Sequence, residues 1–348
     1  MNFFGEDLSS PLSFYFIAEI GVNHGGDIDI AKRLIDAAVE GGAHAVKFQT
    51  YKAETIAAKD APSYWDNTKE NIGNQFELFK KFDGLNRDDY LELKEYCDKH
   101  EIIFCSTAFD LEAVEWLTDI MPFFKVASAD ITNFPLLRRI ASKGKPVILS
   151  TGASTVEEIS SAIQELEKHG AQNVAILHCI LNYPTKKHDA NLNMISNLIH
   201  HFPNKVVGYS DHTEPDARMS VITTAVLLGA KIIEKHFTLD KTLPGNDHYH
   251  SMDKNDLKKL FISVKDLQNL VGNKPKNFLD SEKSPRLFAR RSLHFNKNIK
   301  KGGIVTESDF IALRPATGVS PMLIDFFVGK KLKENVSEYD RVDEQHFE

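Results

Sequence analysis

The chain has 348 residues, of which 42% are hydrophobic and 26% charged, and its formal net charge is −7. This length suits one large domain with a smaller one, and the negative charge argues against nonspecific nucleic-acid binding. No apolar run is long enough to span a membrane, and residues 1–16 carry acidic rather than basic residues, unlike a signal peptide. The three cysteines, Cys97, Cys105 and Cys179, show no metal-type spacing, so we expect buried thiols in a reducing cytoplasm.

Short apolar, β-branched runs alternate with amphipathic stretches along most of the chain. The runs lie at residues 14–20, 45–48, 102–105, 123–126, 146–149, 174–178, 206–209 and 231–234. Amphipathic stretches such as 28–43 and 155–171 have a glycine at their C-terminal end, Gly42 and Gly170, where helices commonly stop. Eight strand signals with helices between them predict a (β/α)8 TIM barrel of about 250 residues. A doubly wound open sheet is the alternative, but no GxGxxG motif follows the first strand.

Two regions depart from this alternation. Residues 50–85 are polar and too long for a simple loop, which predicts an insertion over the second strand. Residues 273–286 are polar, charged and interrupted by proline, which predicts a linker between a barrel domain at 1–272 and a small domain at 287–348. Because about 60 residues are marginal for independent stability, we expect the small domain to pack on another surface.

Polar residues follow the predicted strands at the end where barrel enzymes carry their sites. Lys47 and Lys125 lie in apolar strand contexts, and hydroxyl residues such as Ser150 and Thr151 follow other strands. Lysines and hydroxyls around one cavity are suited to binding a phosphate. The alternatives are that the hydroxyls cap helices and that the lysines form structural ion pairs.

Glu19 is flanked by apolar residues and glycine in FIAEIG. A carboxylate in such surroundings has a raised pKa and can act as an acid, a base or a group that positions water. A buried salt bridge to one of the lysines is the structural alternative.

Two strands end in histidine, KVVGYSDHT at His212 and AKIIEKHFT at His236, with one predicted helix at 217–228 between them. A strand–helix–strand unit places both strand ends side by side, so the two imidazoles could share one divalent metal. The alternative is that both are ordinary histidines. In PGNDHYHS we predict that Asp247 accepts from a sugar hydroxyl, and we interpret His248 and His250 as polar loop residues.

With these residues assembled, the chain resembles the sialic acid synthase family along nearly its whole length. The resemblance rests on an ordered set of motifs: FIAEIGVNHGG, AVKFQT, CSTAFD, FKVASADITNFPL, KPVILSTGAS, GYSDHT, EKHFT, PGNDHYHS and LRPATGVSP. It implies a barrel followed by an antifreeze-like (SAF) domain, in a homodimer whose swapped SAF domains cover the partner's active site. It also implies condensation of phosphoenolpyruvate with an N-acylated hexosamine to a nine-carbon keto sugar acid.

The resemblance assigns roles to individual residues. His212 and His236 correspond to ligands of Mn²⁺, with Mg²⁺ or Co²⁺ as alternatives, and Glu19 to the residue that manages the attacking water. The phosphoenolpyruvate positions are Lys47, Thr107, Lys125, Ser128, Ser150 and Ser210. The acceptor-sugar positions are Gln49, Tyr183, Asp247 and Arg314, the last lent by a partner subunit.

Three departures from the family pattern lie on the acceptor side. Asp130 stands where Glu is common, Leu181 where Asn is common, and PGNDHYHS differs from the loop of the best-known bacterial N-acetylneuraminate enzymes. They leave open whether the acceptor is N-acetylmannosamine or a diacetamido-dideoxy sugar of the legionaminate or pseudaminate type. A non-catalytic sugar- or ice-binding protein is the third hypothesis.

Overall fold

A computed structural model describes residues 2–3, 6–65, 70–272 and 275–348. The chain divides into two compact units, Met1–Gly272 and Asn273–Glu348. No helix in these described ranges is both long and apolar enough to cross a membrane.

The first unit is a closed barrel of eight parallel strands, which confirms the predicted (β/α)8 fold. Its strands are Tyr15–Gly21, Ala45–Thr50, Ile103–Ala108, Phe124–Val126, Val147–Ser150, Val174–Cys179, Val207–Asp211 and Ile232–His236. They are called barrel strands one to eight below. Their order around the barrel follows the chain, and strand eight pairs with strand one to close it. A short antiparallel pair, Asn2–Phe3 with Glu6–Asp7, precedes the barrel.

Helices follow the barrel strands along the chain. They are Ile28–Gly41, Arg87–Lys99, Leu111–Leu117, Phe134–Ala141, Val156–Lys168, Asn193–His201, Ser220–Leu227 and Lys254–Val271. The first begins where the Asp27 side chain accepts from two backbone N–H groups and ends before Gly42, whose φ is 91°. Between strand two and the helix at Arg87–Lys99 lie two extra helices, Ala53–Ile56 and Gln75–Phe82, in the region predicted as an insertion.

Strand seven contains a glycine because its neighbours approach closely. A Cβ added to Gly208 would lie 2.3 Å from the Ile232 carbonyl oxygen and 2.5 Å from Leu177 Cδ2. Only hydrogen fits there, so this glycine allows strands six, seven and eight to pack together and to present their ends at one mouth.

The second unit has its own apolar core. Its antiparallel strands, Ser292–Phe295 and Phe310–Leu313, pair with each other, and its short helices are Lys283–Phe288 and Ile324–Phe327. The core is formed by Leu293, Phe295, Val305, Phe310, Phe327, Leu332, Val336, Val342 and Phe347. The first of these helices begins inside the stretch 273–286 that the sequence predicts to be a linker.

A buried ion pair joins strands seven and eight. Lys235 Nζ lies 2.8 Å from Asp211 Oδ2, and both side chains are almost fully buried. Tyr209 donates to Asp211 Oδ1 at 2.9 Å, and Lys235 donates to the Thr213 carbonyl. Since strand side chains alternate, Lys235 faces away from the side that carries His236. The pair therefore ties the two strand ends together from outside the barrel.

We predict that Lys235→Met lowers the free energy of unfolding by about 3–5 kcal/mol, because it leaves the Asp211 carboxylate buried and unpaired. Urea titration of the barrel transition measures this. Lys254→Met is the control, since Lys254 pairs with Glu40 at an exposed site and should contribute at most about 1 kcal/mol. Equal losses in the two variants would contradict the prediction.

The three cysteines are free and buried. Burial raises the pKa of Cys97 to about 12 and that of Cys179 to about 11, and it raises the pKa of Cys105 as well. Buried, protonated thiols react slowly. We therefore expect the native protein to resist Ellman's reagent at pH 8, whereas the protein unfolded in urea should release one equivalent of chromophore per cysteine. A rapid stoichiometric reaction of the native protein would refute this expectation.

Candidate active site

The register of the barrel brings the predicted residues into neighbouring positions. His236 on strand eight is opposite Glu19 on strand one, and Glu19 is opposite Lys47 on strand two. Thr107 pairs in the same way with Lys125 on the next strand. Because these pairs occupy the carboxyl ends of the strands, their side chains meet at one mouth of the barrel.

Two lysines and two carboxylates form a buried cluster at this mouth. Lys47 Nζ forms an ion pair with Glu19 Oε2 and lies 4.0 Å from Glu234 Oε1. Lys125 Nζ lies 3.8 Å from the same Glu234 oxygen and donates to the Val126 carbonyl at 2.8 Å. The ion-pair alternative for the lysines and for Glu19 is therefore what the structure shows. The four charges sum to zero, which is how a buried site tolerates them.

The cluster shifts the pKa values of its members in different directions. Burial alone would lower the pKa of Lys47, but Glu19 and Glu234 raise it above its ordinary value. Burial lowers the pKa of Lys125, with partial compensation by Glu234. Burial raises the pKa of Glu19 despite Lys47, whereas the two lysines outweigh burial and lower the pKa of Glu234. Glu19 is therefore the carboxylate better suited to accept and return a proton.

Three of the predicted hydroxyl residues make hydrogen bonds within the protein. Lys47 donates to Thr107 Oγ1 at 3.2 Å, and Ser210 donates to Glu234 Oε1 at 3.2 Å. Ser128 Oγ accepts from the Gly152 amide at 2.8 Å. These three hydroxyls are thus held in place by the protein.

Ser150 differs from its neighbours. Its Oγ is buried and has no hydrogen-bond partner among the described residues, although buried polar atoms normally have one. The adjacent Thr151 donates instead to the Leu177 carbonyl at 2.9 Å. The next helix begins at Val156 with Thr155 as its N-cap, so neither residue caps it. The strand that ends in Ser150 pairs with the strand that carries Lys125, so this unpartnered hydroxyl is a candidate contact for an anionic ligand.

The two predicted metal-ligand histidines lie side by side. The ring centroids of His212 and His236 are 5.3 Å apart, and both rings are buried. His212 Nδ1 is 2.8 Å from the Ile180 carbonyl oxygen, and His236 Nδ1 is 3.3 Å from Asp247 Oδ2. Burial and His236 lower the pKa of His212. Burial opposes protonation of His236 as well, but Asp247 raises its pKa above the ordinary value.

This donor set fits a divalent cation. Metal-bound histidines usually direct one ring nitrogen at a carbonyl or carboxylate, which leaves the other for the metal. Both His212 and His236 have their Nδ1 so placed, so each has Nε2 available. In the described part of the chain no three or more His, Cys, Asp or Glu side chains form a metal-binding group. A cation held by two imidazoles alone would have its other positions filled by water or substrate.

The predicted acceptor residues fall in different places. Gln49 donates to Glu19 Oε1 at 2.9 Å, and the Tyr183 ring packs on His212 with centroids 4.1 Å apart. Asp247, which is predicted to accept from a sugar hydroxyl, lies with its Oδ2 3.3 Å from His236 Nδ1. Arg314 lies in the second unit, directly after the strand Phe310–Leu313.

Two residues of this site have no role in the sequence-based assignment. Glu234 precedes His236 by two residues, so strand alternation places both at the mouth of strand eight, but its pairing with the two lysines is not predicted from the sequence. His250 was interpreted as a polar loop residue, but its ring is fully buried and lies 5.0 Å from the His236 ring. No sequence pattern signals that burial, because it depends on how the loop folds back over strand eight.

Known proteins resemble this chain over most of its length. It is 39% identical to the N,N'-diacetyllegionaminic acid synthase of Legionella pneumophila, covering 94% of this chain and 93% of that one. It is 34% identical to the human N-acetylneuraminate-9-phosphate synthase, covering 95% and 92%. A solved N-acetylneuraminic acid synthetase from Leptospira borgpetersenii, in complex with citrate, matches with a TM-score of 0.69 and 34% identity, covering 78% of this chain and 90% of that one.

A family model also matches this chain: residues 34–276, which lie mostly in the barrel, fit the NeuB family. This span includes both lysines, both strand-end histidines and Glu234. Together with relatives of at least 34% identity over nearly the full chain, it identifies the protein as a member of the NeuB family of nonulosonic acid synthases.

Proposed function

We propose that this enzyme condenses phosphoenolpyruvate with an N-acylated hexosamine such as N-acetylmannosamine, giving a nine-carbon keto sugar acid and phosphate. The observation that carries the proposal is the buried cluster at the barrel mouth, where Lys47 and Lys125 both lie within 4.0 Å of Glu234, together with the unpartnered Ser150 hydroxyl at the end of the strand next to Lys125. A small, highly charged substrate needs such a site, since the net charge of −7 gives no overall attraction for an anion.

Phosphoenolpyruvate would bind with its phosphoryl and carboxylate groups at Lys47 and Lys125. The lysines are already held by Glu19 and Glu234, so little reorganisation is needed when the ligand arrives. Ser150 would donate its unused hydroxyl to a ligand oxygen. Thr107 and Ser210 would keep the charged groups in place by the hydrogen bonds they already make.

Glu19 would position and activate the water that attacks C2. As C3 of phosphoenolpyruvate forms a bond to the acceptor aldehyde carbon, C2 becomes electrophilic and takes up water. Glu19, whose pKa burial raises, would accept a proton from that water and return it to the oxygen of the former aldehyde, which becomes a hydroxyl. The tetrahedral C2 then loses phosphate by cleavage of its C–O bond, and the proton of the C2 hydroxyl leaves with the phosphate, so that the keto group remains. Gln49 would orient Glu19 through their 2.9 Å hydrogen bond.

His212 and His236 would hold the divalent cation, for which we propose Mn²⁺ with Mg²⁺ or Co²⁺ as alternatives. When bound, such a cation supplies a Lewis acid that polarises the acceptor aldehyde. Tyr183 packs against both rings, at 4.1 Å from His212 and 5.9 Å from His236, and so limits their movement.

A diacetamido-dideoxy hexose of the legionaminate or pseudaminate type is the second acceptor candidate. It is supported by the name of the Legionella relative, which is a diacetyllegionaminic acid synthase. The family resemblance assigns the Asp130, Leu181 and PGNDHYHS departures to the acceptor side or its edge, and they therefore leave this second sugar open.

The proposal extends to location and assembly. Three free, buried cysteines suit a reducing cytoplasm. A homodimer with swapped SAF domains would bring the partner subunit's Arg314 to the sugar. Exposed apolar side chains in the second unit, such as Met322 at 91% and Ile304 at 66%, suit packing on another surface.

The acceptor is tested by incubating the enzyme with phosphoenolpyruvate, Mn²⁺ and each of the two sugar types. We expect phosphate release with at least one acceptor, and mass spectrometry should find the acceptor plus the three pyruvate carbons. The ratio of kcat/KM values decides between the two sugars. Absence of phosphate release with every acceptor would reject the synthase and favour a non-catalytic sugar-binding protein.

Ser150→Ala should raise the KM for phosphoenolpyruvate about 10-fold or more, because a hydrogen bond to a charged group contributes about 1.5–3 kcal/mol. Steady-state kinetics at saturating acceptor measure it. Thr151→Val is the matched control, because the Thr151 hydroxyl already donates to the Leu177 carbonyl. This substitution should lower the stability of the protein but leave the KM for phosphoenolpyruvate within about 2-fold of the wild type. An unchanged KM in Ser150→Ala would exclude the hydroxyl from the anion site.

A further inference from the structure

His250 is a buried imidazole with no role in the reaction described so far. Its side chain is 0% exposed, and neither ring nitrogen has a partner within normal hydrogen-bond distance among the described residues. Leaving a polar ring in this state costs free energy that an apolar residue would avoid.

The polar group that His250 faces is the Asp247 carboxylate. His250 Nε2 lies 3.7 Å from Asp247 Oδ1, while Asp247 Oδ2 lies 3.3 Å from His236 Nδ1. The carboxylate therefore stands between two imidazoles and presents one oxygen to each. The His236 and His250 rings are also in edge-to-face contact, with centroids 5.0 Å apart at 75°.

Other contacts fix the backbone of this loop without help from the His250 ring. The Thr238 hydroxyl and His248 Nδ1 are 2.8 Å apart, and the Met252 amide donates to the His236 carbonyl at 2.8 Å. The Asp247 side chain itself is 17% exposed. Without a second partner its carboxylate could turn toward water and away from His236.

We propose that His250 is a positioning residue that holds the Asp247 carboxylate against His236 and so aims His236 Nε2 at the divalent cation. This inference rests on the two-histidine metal site of the proposed function. It assigns Asp247 to the orientation of a metal ligand, in addition to the sugar contact that the family resemblance implies. Outer partners of metal ligands commonly set metal affinity in this way.

The test is the Mn²⁺ dissociation constant of the full-length enzyme, measured by electron paramagnetic resonance of free Mn²⁺ without substrates. His250→Phe keeps a buried ring but removes both nitrogens, and we expect about 10-fold weaker binding. His250→Gln keeps an amide donor at similar reach and should restore affinity to within about 3-fold of the wild type. Asp247→Asn should weaken binding about 10- to 100-fold.

A double-mutant cycle checks that His250 acts through Asp247. If it does, Asp247→Asn with His250→Phe should bind Mn²⁺ no more weakly than Asp247→Asn alone. His248→Asn is the control from the same loop, because His248 contacts Thr238 instead of His236, and it should leave the Mn²⁺ affinity unchanged.

Three results would overturn the inference: wild-type affinity in His250→Phe, equal weakening by His250→Phe and His250→Gln, or additive losses in the double variant. Absence of Mn²⁺ binding by the wild-type enzyme would overturn the metal site and this inference with it. Phosphate release tests the synthase reaction separately. A failed synthase proposal and a failed positioning role for His250 therefore give different results.

Discussion

Closure of the barrel is the constraint on which the site depends. Strand eight pairs with strand one in a register that sets His236 opposite Glu19, so the last strand completes a site begun by the first. The same closure places Glu234 within 4.0 Å of both lysines, although more than 100 residues separate it from each. An open sheet would leave strands one and eight at opposite edges and the four charges unpaired. The buried Lys235–Asp211 pair supports this arrangement from the outer side.

Charge balance explains how such a polar group can be buried in the barrel. Isolated, each lysine or glutamate would be costly to desolvate, but two of each sign at about 4 Å largely compensate one another. The balance also shapes the chemistry. The two lysines lower the pKa of Glu234, whereas burial raises the pKa of Glu19. In the proposed reaction, Glu234 would therefore balance the charge of the lysines and Glu19 would transfer the proton.

How much of this site can be predicted from the sequence depends on how far apart the interacting residues are along the chain. Strand-end lysines and histidines are predictable because apolar runs mark the strands and barrel topology gathers their ends. The partners of those residues are harder to predict. Nothing local to Lys125 indicates that Glu234 is its partner, and the burial of His250 depends on a loop that folds back over strand eight. The capping alternative for Ser150 was also undecidable until the helix start at Val156 and its Thr155 cap were known.

By itself, the sequence determined the eight strands, the helices between them and the residue types delivered to one mouth, because strand and helix periodicities are local properties. The ordered motifs also determined the family. Only the tertiary structure decided which lysine meets which carboxylate, that Ser150 lacks a partner while Thr151 has one, and that Asp247 stands between His236 and His250. Those outcomes depend on distances of a few ångströms between residues far apart in the chain, and such distances are set by closure of the barrel and packing of its loops.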